Sequence, residues 1–297
     1  MNAYLTKKMF RVLCILWMLC TVSVSVFLPQ TVFAKSSKYS KIFKKQDYKI
    51  ATVKKGKYTF RYFSGKVFIV KADGTNQSTP LDYGAYTNGK TAIYISDGKL
   101  MKYTLSDGKS KKLKTLPKGK SRSEYDGYDI KMIYGNNFYV TRTSFDDWEY
   151  VTYAYNMSKK TIKKQIKGKI IAIKGKYVLA QMAYKSDVSP YKLNLYKITS
   201  KGIKKVKTLS SLSYLGTFVG NKLYYTDYTN NLMEQCDLHV ADKDGSNDKV
   251  LVTFPLEGKI TEGQLMILDI TSKKCTIWMN NEWYEYTFQT GTMKKLK

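Results

Sequence analysis

Residues 169–209 read KIIAIKGKYVLAQMAYKSDVSPYKLNLYKITSKGIKKVKTL. This stretch divides into four runs, which are Lys169–Lys174, Lys176–Tyr184, Lys192–Thr199 and Ile203–Leu209. The runs are rich in Ile, Val, Leu, Tyr and Thr, and short polar or Gly-containing segments separate them, a pattern typical of strands joined by turns. The stretch therefore predicts four consecutive β-strands. Beyond residue 45, no long window has the apolar spacing of an amphipathic helix.

The same unit recurs along the chain. Its marker is a strand, a tight polar turn and a Lys-rich strand, and the six turns contain Gly74, Gly108, Ser158, Gly202, Gly245 and Gly291. Five intervals cover the 217 residues from the first of these turns to the last, so the mean spacing is 43.4 residues. A four-stranded propeller blade has about 40–45 residues in the commonest class. The sequence therefore predicts an all-β fold, a six-bladed β-propeller of four-stranded antiparallel blades over residues 46–297.

The two ends of this region determine how the ring closes. The first unit starts on its first strand, Tyr48–Lys54, and the sixth ends on its fourth, Thr292–Lys297. No strand is left over for a shared closing blade, so we expect closure to rest on packing between the first and last blades. An open solenoid or a pair of sandwiches is the alternative, which the long period and the four strands per unit disfavour.

The fifth unit resembles a known family of repeats. Leu223-Tyr224-Tyr225-Thr226-Asp227, followed by Asp244-Gly245-Ser246-Asn247, is similar to the YWTD repeat of lipoprotein-receptor propellers and to the repeats of TolB-like propellers and secreted bacterial domains of unknown function. The third and fourth units lack the aromatic-Thr-Asp core, for example at Tyr139-Val140-Thr141-Arg142. The resemblance implies six blades and a binding role, and it names no ligand.

The N-terminus has the pattern of an export signal. Lys7, Lys8 and Arg11 precede the apolar run Val12–Leu28, and Val32-Phe33-Ala34 supplies the small residues of a cleavage site. We therefore expect a signal peptide over residues 1–34, followed by a basic leader over residues 35–45. An uncleaved membrane anchor is the alternative, but the run is shorter than the ~20 residues that a membrane span needs.

Composition and charge narrow the compartment and the partners. The formal net charge is +28, and the pairs Lys111-Lys112, Lys163-Lys164, Lys204-Lys205 and Lys294-Lys295 fall on the predicted fourth strand of their units. Lysine on an edge strand prevents edge-to-edge association, and it also attracts anionic polymers such as a cell-wall polymer. Nucleic acid is disfavoured because only three arginines follow residue 34. We expect a protein that is secreted or noncovalently held at the surface of a Gram-positive bacterium, with no membrane span after cleavage.

The sequence offers little catalytic or metal-binding chemistry. The single histidine, His239, excludes multi-His metal sites, and no Gly-x-Ser-x-Gly nucleophile motif is present. Asp242–Asp248 resembles a calcium loop, but it lacks a third acidic position before the glycine and a Glu at the twelfth position, which favours a hairpin turn. We therefore expect no catalytic residue, no metal and no cofactor.

The candidate binding residues are Asp146, Asp147, Trp148 and Glu149, where three carboxylates surround one tryptophan in the unit with the longest insertion. An exposed aromatic ring beside carboxylates suits a sugar ring or a cationic group of an unknown glycan or protein ligand. A second acidic stretch, Glu124, Asp126 and Asp129, enters the same unit.

A carbohydrate-active enzyme is the alternative function, with Asp146 or Asp147 among its carboxylates. Adjacent residues of an extended chain point to opposite faces, which argues against these two as a pair. Such an enzyme requires two carboxylates from different blades within about 5–10 Å of each other.

Two cysteines, Cys236 and Cys275, remain after the signal. In an exported protein they either form a disulfide or serve as small apolar core residues, and their spacing does not decide between the two.

Overall fold

A computed structural model describes residues 38–43, 50–119, 127–144, 149–182, 191–213, 215–228, 235–255, 265–279 and 282–296. The regular elements of these residues are all β-strands. No helix within these ranges is long and apolar enough to cross a bilayer. The described residues belong to one compact unit, Ser36–Lys297.

The first half of this unit contains a short leading strand and three blades of four strands each. The leading strand is β1 (Ser40–Lys41). Blade 1 consists of β2 (Ala51–Lys55), β3 (Tyr58–Phe63), β4 (Lys66–Val70) and β5 (Asn76–Ser78). Blade 2 consists of β6 (Tyr86–Thr87), β7 (Thr91–Ser96), β8 (Lys99–Thr104) and β9 (Ser110–Thr115). Blade 3 consists of β10 (Gly127–Tyr134), β11 (Asn137–Ser144), β12 (Glu149–Asn156) and β13 (Thr161–Ile166).

The second half contains three more blades of the same form. Blade 4 consists of β14 (Lys169–Lys174), β15 (Tyr177–Met182), β16 (Tyr191–Thr199) and β17 (Gly202–Ser213). Blade 5 consists of β18 (Gly216–Val219), β19 (Lys222–Tyr228), β20 (Gln235–Asp242) and β21 (Lys249–Pro255). Blade 6 consists of β22 (Leu265–Ile270), β23 (Lys274–Met279), β24 (Glu282–Thr287) and β25 (Thr292–Lys295).

The strands of each blade pair in chain order as an antiparallel sheet. The protein is therefore an all-β, six-bladed β-propeller, and the fold predicted from the repeat is confirmed. The first strands of blades 3, 4 and 5 contact one another in turn, which places first strands near the axis. The fourth strands lie at the outside, and β5 and β25 are exposed at every residue.

Apolar side chains between neighbouring blades form the core. Five clusters join blades 1 to 2, 2 to 3, 3 to 4, 4 to 5 and 5 to 6. No such cluster of described residues joins blade 6 to blade 1. Within the described residues, the joint between the first and last blades is therefore the least packed of the six.

Part of the predicted basic leader lies in the ring. Ser40 and Lys41 pair with Thr87 and Tyr86 of β6, so the sheet of blade 2 has a fifth strand at its inner edge. Ile42 and Phe43 are buried in the cluster that joins blades 1 and 2. The sequence did not indicate this, because a two-residue apolar segment among lysines carries no strand pattern.

The two ends of the ring differ in their connections. Short turns join the first strand of each blade to the second, and the third strand to the fourth. We call the end of the ring that carries these turns the turn end. The loop end is the opposite one, where the first strand of each blade begins. At the loop end, the fourth strand of one blade ends and the first strand of the next blade begins. Variable connections on a rigid scaffold are where propeller-type folds commonly place function.

Candidate functional site

A group of charged side chains from three blades lies at the loop end. Asp82 precedes β6, Asp129 and Lys131 belong to β10, and Lys169 begins β14. We call these four residues the inner charged cluster. The Lys131 ammonium donates a hydrogen bond to Asp129 Oδ2. The register of β10 shifts between Ile130 and Met132, so the regular alternation of side chains is interrupted at Lys131. The first strands of successive blades thus bring acids and bases together near the axis.

The two carboxylates of the cluster converge on one point. A Cβ atom built on Gly84 would lie 3.3 Å from Asp82 Oδ1 and 3.6 Å from Asp129 Oδ1. The two oxygens are therefore no more than about 7 Å apart. Glycine at position 84 leaves the gap between them open.

The surroundings of the cluster disfavour its charges. Burial raises the pKa of Asp82, the charge of Asp129 raises it further, and the Gly84 amide opposes both. The Asp82 side chain nevertheless reaches solvent. Burial lowers the pKa of Lys169, and the charge of Lys131 adds to this effect. Burial also raises the pKa of Tyr86 to about 12, with a contribution from Asp129. Groups with shifted pKa values are common at functional sites, which makes this cluster a candidate site.

Aromatic rings border the cluster. Lys41 Nζ lies 4.8 Å from the ring centroid of Tyr83, and Lys169 Nζ lies 5.6 Å from that of Tyr150. The Tyr86 hydroxyl donates a hydrogen bond of 3.2 Å to the Lys131 carbonyl. Rings beside carboxylates and ammonium groups suit a ligand that presents both apolar faces and hydroxyl groups.

A second polar network fixes a turn of blade 5 to blade 4. Lys207 of β17 donates hydrogen bonds of 2.9 Å to Asp248 Oδ2 and to the Gly245 carbonyl. The Tyr225 hydroxyl donates to Asp248 at 2.7 Å. A Cβ at Gly245, where φ is +83°, would lie only 2.9 Å from Leu195 Cδ2, so glycine is required for this approach.

His239 belongs to the same network. Its ring stacks on that of Tyr225 at 4.6 Å between centroids, and its Nδ1 lies 3.4 Å from Asp248 Oδ1. The nearby Ser210 hydroxyl instead donates a 2.6 Å hydrogen bond to Asp227. His239 is thus a half-buried strand residue that packs at the joint of blades 4 and 5.

The segment that resembles a calcium loop is a hairpin turn. Asp244 Oδ1 accepts hydrogen bonds from the amide and hydroxyl of Ser246 at 3.0 and 2.6 Å, and Asp242 accepts one from Asn247 at 2.6 Å. In the ranges that the structure describes, no group of three or more His, Cys, Asp or Glu could hold a metal ion.

Comparison with solved structures finds other propeller-containing proteins. They include an oligogalacturonate lyase in complex with manganese (13% identity, 80% of this chain and 72% of that one, TM-score 0.44). A second match is an oligogalacturonate lyase of Vibrio parahaemolyticus, with 11% identity over 87% of this chain and 81% of that one and a TM-score of 0.45. A third is TolB of Acinetobacter baumannii, with 12% identity over 78% of this chain and 59% of that one and a TM-score of 0.33. Likenesses at this identity concern the fold alone. The chain spans less than two thirds of TolB, and 42% of the prolyl endopeptidases that it also matches. No protein-family model and no curated protein matches the chain.

The predicted binding residues fall partly outside the described ranges. Asp146, Asp147 and Trp148 lie there, and so do Glu124 and Asp126. Glu149 begins β12 and accepts a hydrogen bond from the Arg142 guanidinium, whose side chain is only 3% exposed. Glu149 therefore balances a buried cation, which is costly to leave unpaired.

Of the two acidic stretches in blade 3, the second supplies a member of the inner charged cluster, Asp129. Its partners Asp82 and Lys169 carry no sequence motif. Their spacing could have revealed them. Asp129 follows Asp82 by 47 residues and Lys169 follows Asp129 by 40, which is close to the mean repeat length of 43.4 residues.

Cys236 and Cys275 are free thiols in the structure, both buried in the cluster that joins blades 5 and 6. Burial raises the pKa of each to about 12. Neither thiol is therefore a reactive nucleophile at neutral pH.

The network around Asp248 makes a pH-dependent contribution to stability. Burial opposes ionisation of Asp248, but hydrogen bonds from Lys207 and Tyr225 outweigh it and lower the pKa. A lowered pKa stabilises the folded state above the ordinary value of an Asp, and this stabilisation is lost as the pH falls through the folded-state pKa. We expect Asp248→Asn to lower the free energy of unfolding by about 1–2 kcal/mol at pH 7 and by much less at pH 3, as measured by urea unfolding. Asp107→Asn, in an exposed turn, is the control, and an equal loss at both pH values would contradict the prediction.

Proposed function

We propose that this chain is an exported, non-catalytic binding protein of the cell envelope or extracellular space, with a glycan bound at the loop end. The inner charged cluster carries the proposal: two carboxylates and two ammonium groups from three blades, bordered by tyrosine rings. The N-terminal signal pattern supports export. The YWTD-like and TolB-like character of the repeats is part of the proposal and rests on the fifth unit.

Electrostatics support a ligand-binding role for the cluster. Asp82 ionises less readily than a free Asp, and Asp129 contributes to that cost. Carboxylates that reach solvent at the axis can accept hydrogen bonds from sugar hydroxyls, and the ammonium groups can donate to them.

The second candidate is a carbohydrate-active enzyme that uses Asp82 and Asp129. The observation that favours it is the convergence of these two carboxylates from different blades on the gap beside Gly84. The raised pKa of Asp82 suits a proton donor, and Asp129 would be the second carboxylate of the pair.

A glycan and envelope-polymer screen on residues 35–297 tests the two candidates together. We expect saturable binding of at least one glycan without release of new reducing ends. Release of reducing ends that Asp82→Asn abolishes would establish the enzyme instead. Trp148→Ala, included in the same screen, tests the predicted contact at 146–149. Absence of any binding would contradict both candidates.

The lysine pairs provide a second, electrostatic mode of attachment in this proposal. All four predicted pairs lie on the fourth strands, in β9, β13, β17 and β25, and are exposed. They form a positive rim at the outside of the blades, which would hold the protein on an anionic cell-wall polymer.

Attachment through this rim should be sensitive to salt. At about 1 M salt the Debye length falls to about 3 Å, so exposed charges are screened. We expect protein bound to purified cell walls in 50 mM salt to be largely released in 1 M salt, as measured by cosedimentation. Retention at 1 M salt would show that the lysine rim does not hold the protein.

A further inference from the structure

A polar cavity lies at the turn end between blades 3 and 4. Its volume is about 190 Å³, several times the ~30 Å³ that one water molecule occupies in the liquid. One face of blade 3 forms its floor. Residues that pair across the strands of this blade lie side by side and form rows. Asn137, Asn156 and Thr161 form one row across β11, β12 and β13, and Tyr139, Ala154 and Lys163 form the next.

The wall of the cavity is the turn between β16 and β17. The Thr199 hydroxyl donates a 2.8 Å hydrogen bond to the Gly202 carbonyl, which closes the turn. The Ile203 amide donates to Gln165 Oε1 at 3.2 Å, which ties the turn to the floor. A Cβ at Gly202, where φ is +124°, would lie 2.8 Å from Gln165 Oε1, so glycine permits this contact. The cavity is thus formed by two blades in fixed contact.

The charge of the lining has a single sign. Lys159, Lys163 and Lys201 line the cavity, and the other lining residues are uncharged. Among the described residues, none of these three ammonium groups forms an ion pair. Unpaired cations around a concave surface raise the local concentration of anions.

Protection of strand edges does not explain two of these three lysines, Lys159 and Lys201. Both lie in turns, where no edge is open to pairing. Lys163 and Lys164 both lie on the edge strand β13, yet only Lys163 faces the cavity, because neighbouring residues of a strand point to opposite faces.

We propose that this cavity binds the anionic group of a sugar or polyol unit, a phosphate or a carboxylate beside hydroxyl groups. Lys159, Lys163 and Lys201 contact the anion, and the Asn, Thr and Ser side chains of the lining contact the hydroxyls. The site is at the opposite end of the ring from the inner charged cluster and does not depend on the glycan proposed there.

Isothermal titration of residues 35–297 with glycerol 3-phosphate and with glucuronate at low salt tests the proposal. Glycerol and glucose are the neutral controls. Binding of the phosphate alone, the carboxylate alone or both supports the site and identifies the anion. Binding of neither, or equal binding of the neutral compounds, overturns it.

Matched variants locate the binding. We expect Lys163→Gln and Lys201→Gln each to weaken binding at least about fivefold, because each removes a charge-assisted contact. Lys164→Gln removes the same charge from the adjacent position on the opposite face and should change affinity less than about twofold. The side chains substituted here, Lys163, Lys164 and Lys201, are exposed, so we expect the variants to fold. Equal weakening by Lys164→Gln would show that binding follows net charge, and the cavity site would be rejected.

Discussion

Phe43→Ala is expected to lower the free energy of unfolding by about 3–5 kcal/mol. Phe43 is 5% exposed, and its ring lies 5.7 Å from that of Tyr62 and 6.4 Å from that of Tyr83. Truncation removes these contacts and leaves a cavity between blades 1 and 2, which the paired strand β1 prevents from collapsing fully. Equilibrium unfolding in urea, followed by far-UV circular dichroism, measures the loss.

The control lies in the same segment. Lys38→Ala changes an exposed residue and should alter the free energy of unfolding by no more than about 0.5 kcal/mol. A chain that begins at residue 46 lacks β1, Ile42 and Phe43 and should be less stable than Phe43→Ala. If Phe43→Ala behaves like Lys38→Ala, the segment 38–43 is not part of the folded ring.

The double substitution Asp82→Asn/Asp129→Asn is expected to weaken glycan binding at least about a hundredfold, since hydrogen bonds to charged groups contribute about 1.5–3 kcal/mol each. The same change should leave the free energy of unfolding nearly unchanged at pH 7. Asp82 has a raised pKa, so it contributes stability below the ordinary pKa of an Asp and loses that contribution as the pH rises. At neutral pH its charge is therefore a cost that Asn removes.

The substitution of Asp129 should lower the free energy of unfolding slightly, whereas that of Asp82 should raise it. Asp129 pairs with Lys131, and its side chain is 44% exposed. A partly exposed ion pair contributes about 0–1 kcal/mol. The expected pattern is therefore a large loss of binding without a comparable loss of stability, measured by titration and urea unfolding of the same preparations. A loss of stability of several kcal/mol would assign the carboxylates a structural role.

The blades could be predicted from sequence because their determinants are local. Alternation of apolar residues and Asp-Gly turns at a spacing near 43 residues depends on neighbours in the chain, and the lysine pairs lie on the fourth strands as the repeat implies. The docking of Ile42 and Phe43 could not be predicted in this way. It depends on a groove formed by residues of two blades, including Phe60 and Leu81.

The candidate site shows the same limit. Residues 146–149 stand out in the sequence because acids and a tryptophan are adjacent there, yet Glu149 pairs with the buried Arg142. The carboxylates that converge near the axis, Asp82 and Asp129, are separated by 47 residues and belong to different blades. Only the ring geometry brings them together, so a search for adjacent residues misses them and a comparison of equivalent repeat positions would find them.

A glycan array shows whether the inner charged cluster binds a glycan when it is probed with the protein, with Asp82→Asn/Asp129→Asn and with Asp73→Asn/Asp107→Asn. The last variant removes the same charge from exposed turns at the turn end. We expect at least one class of glycan to bind the protein and the turn variant Asp73→Asn/Asp107→Asn, and not to bind the cluster variant Asp82→Asn/Asp129→Asn. Equal signals for all three proteins, or no binding by any of them, would contradict the proposed binding.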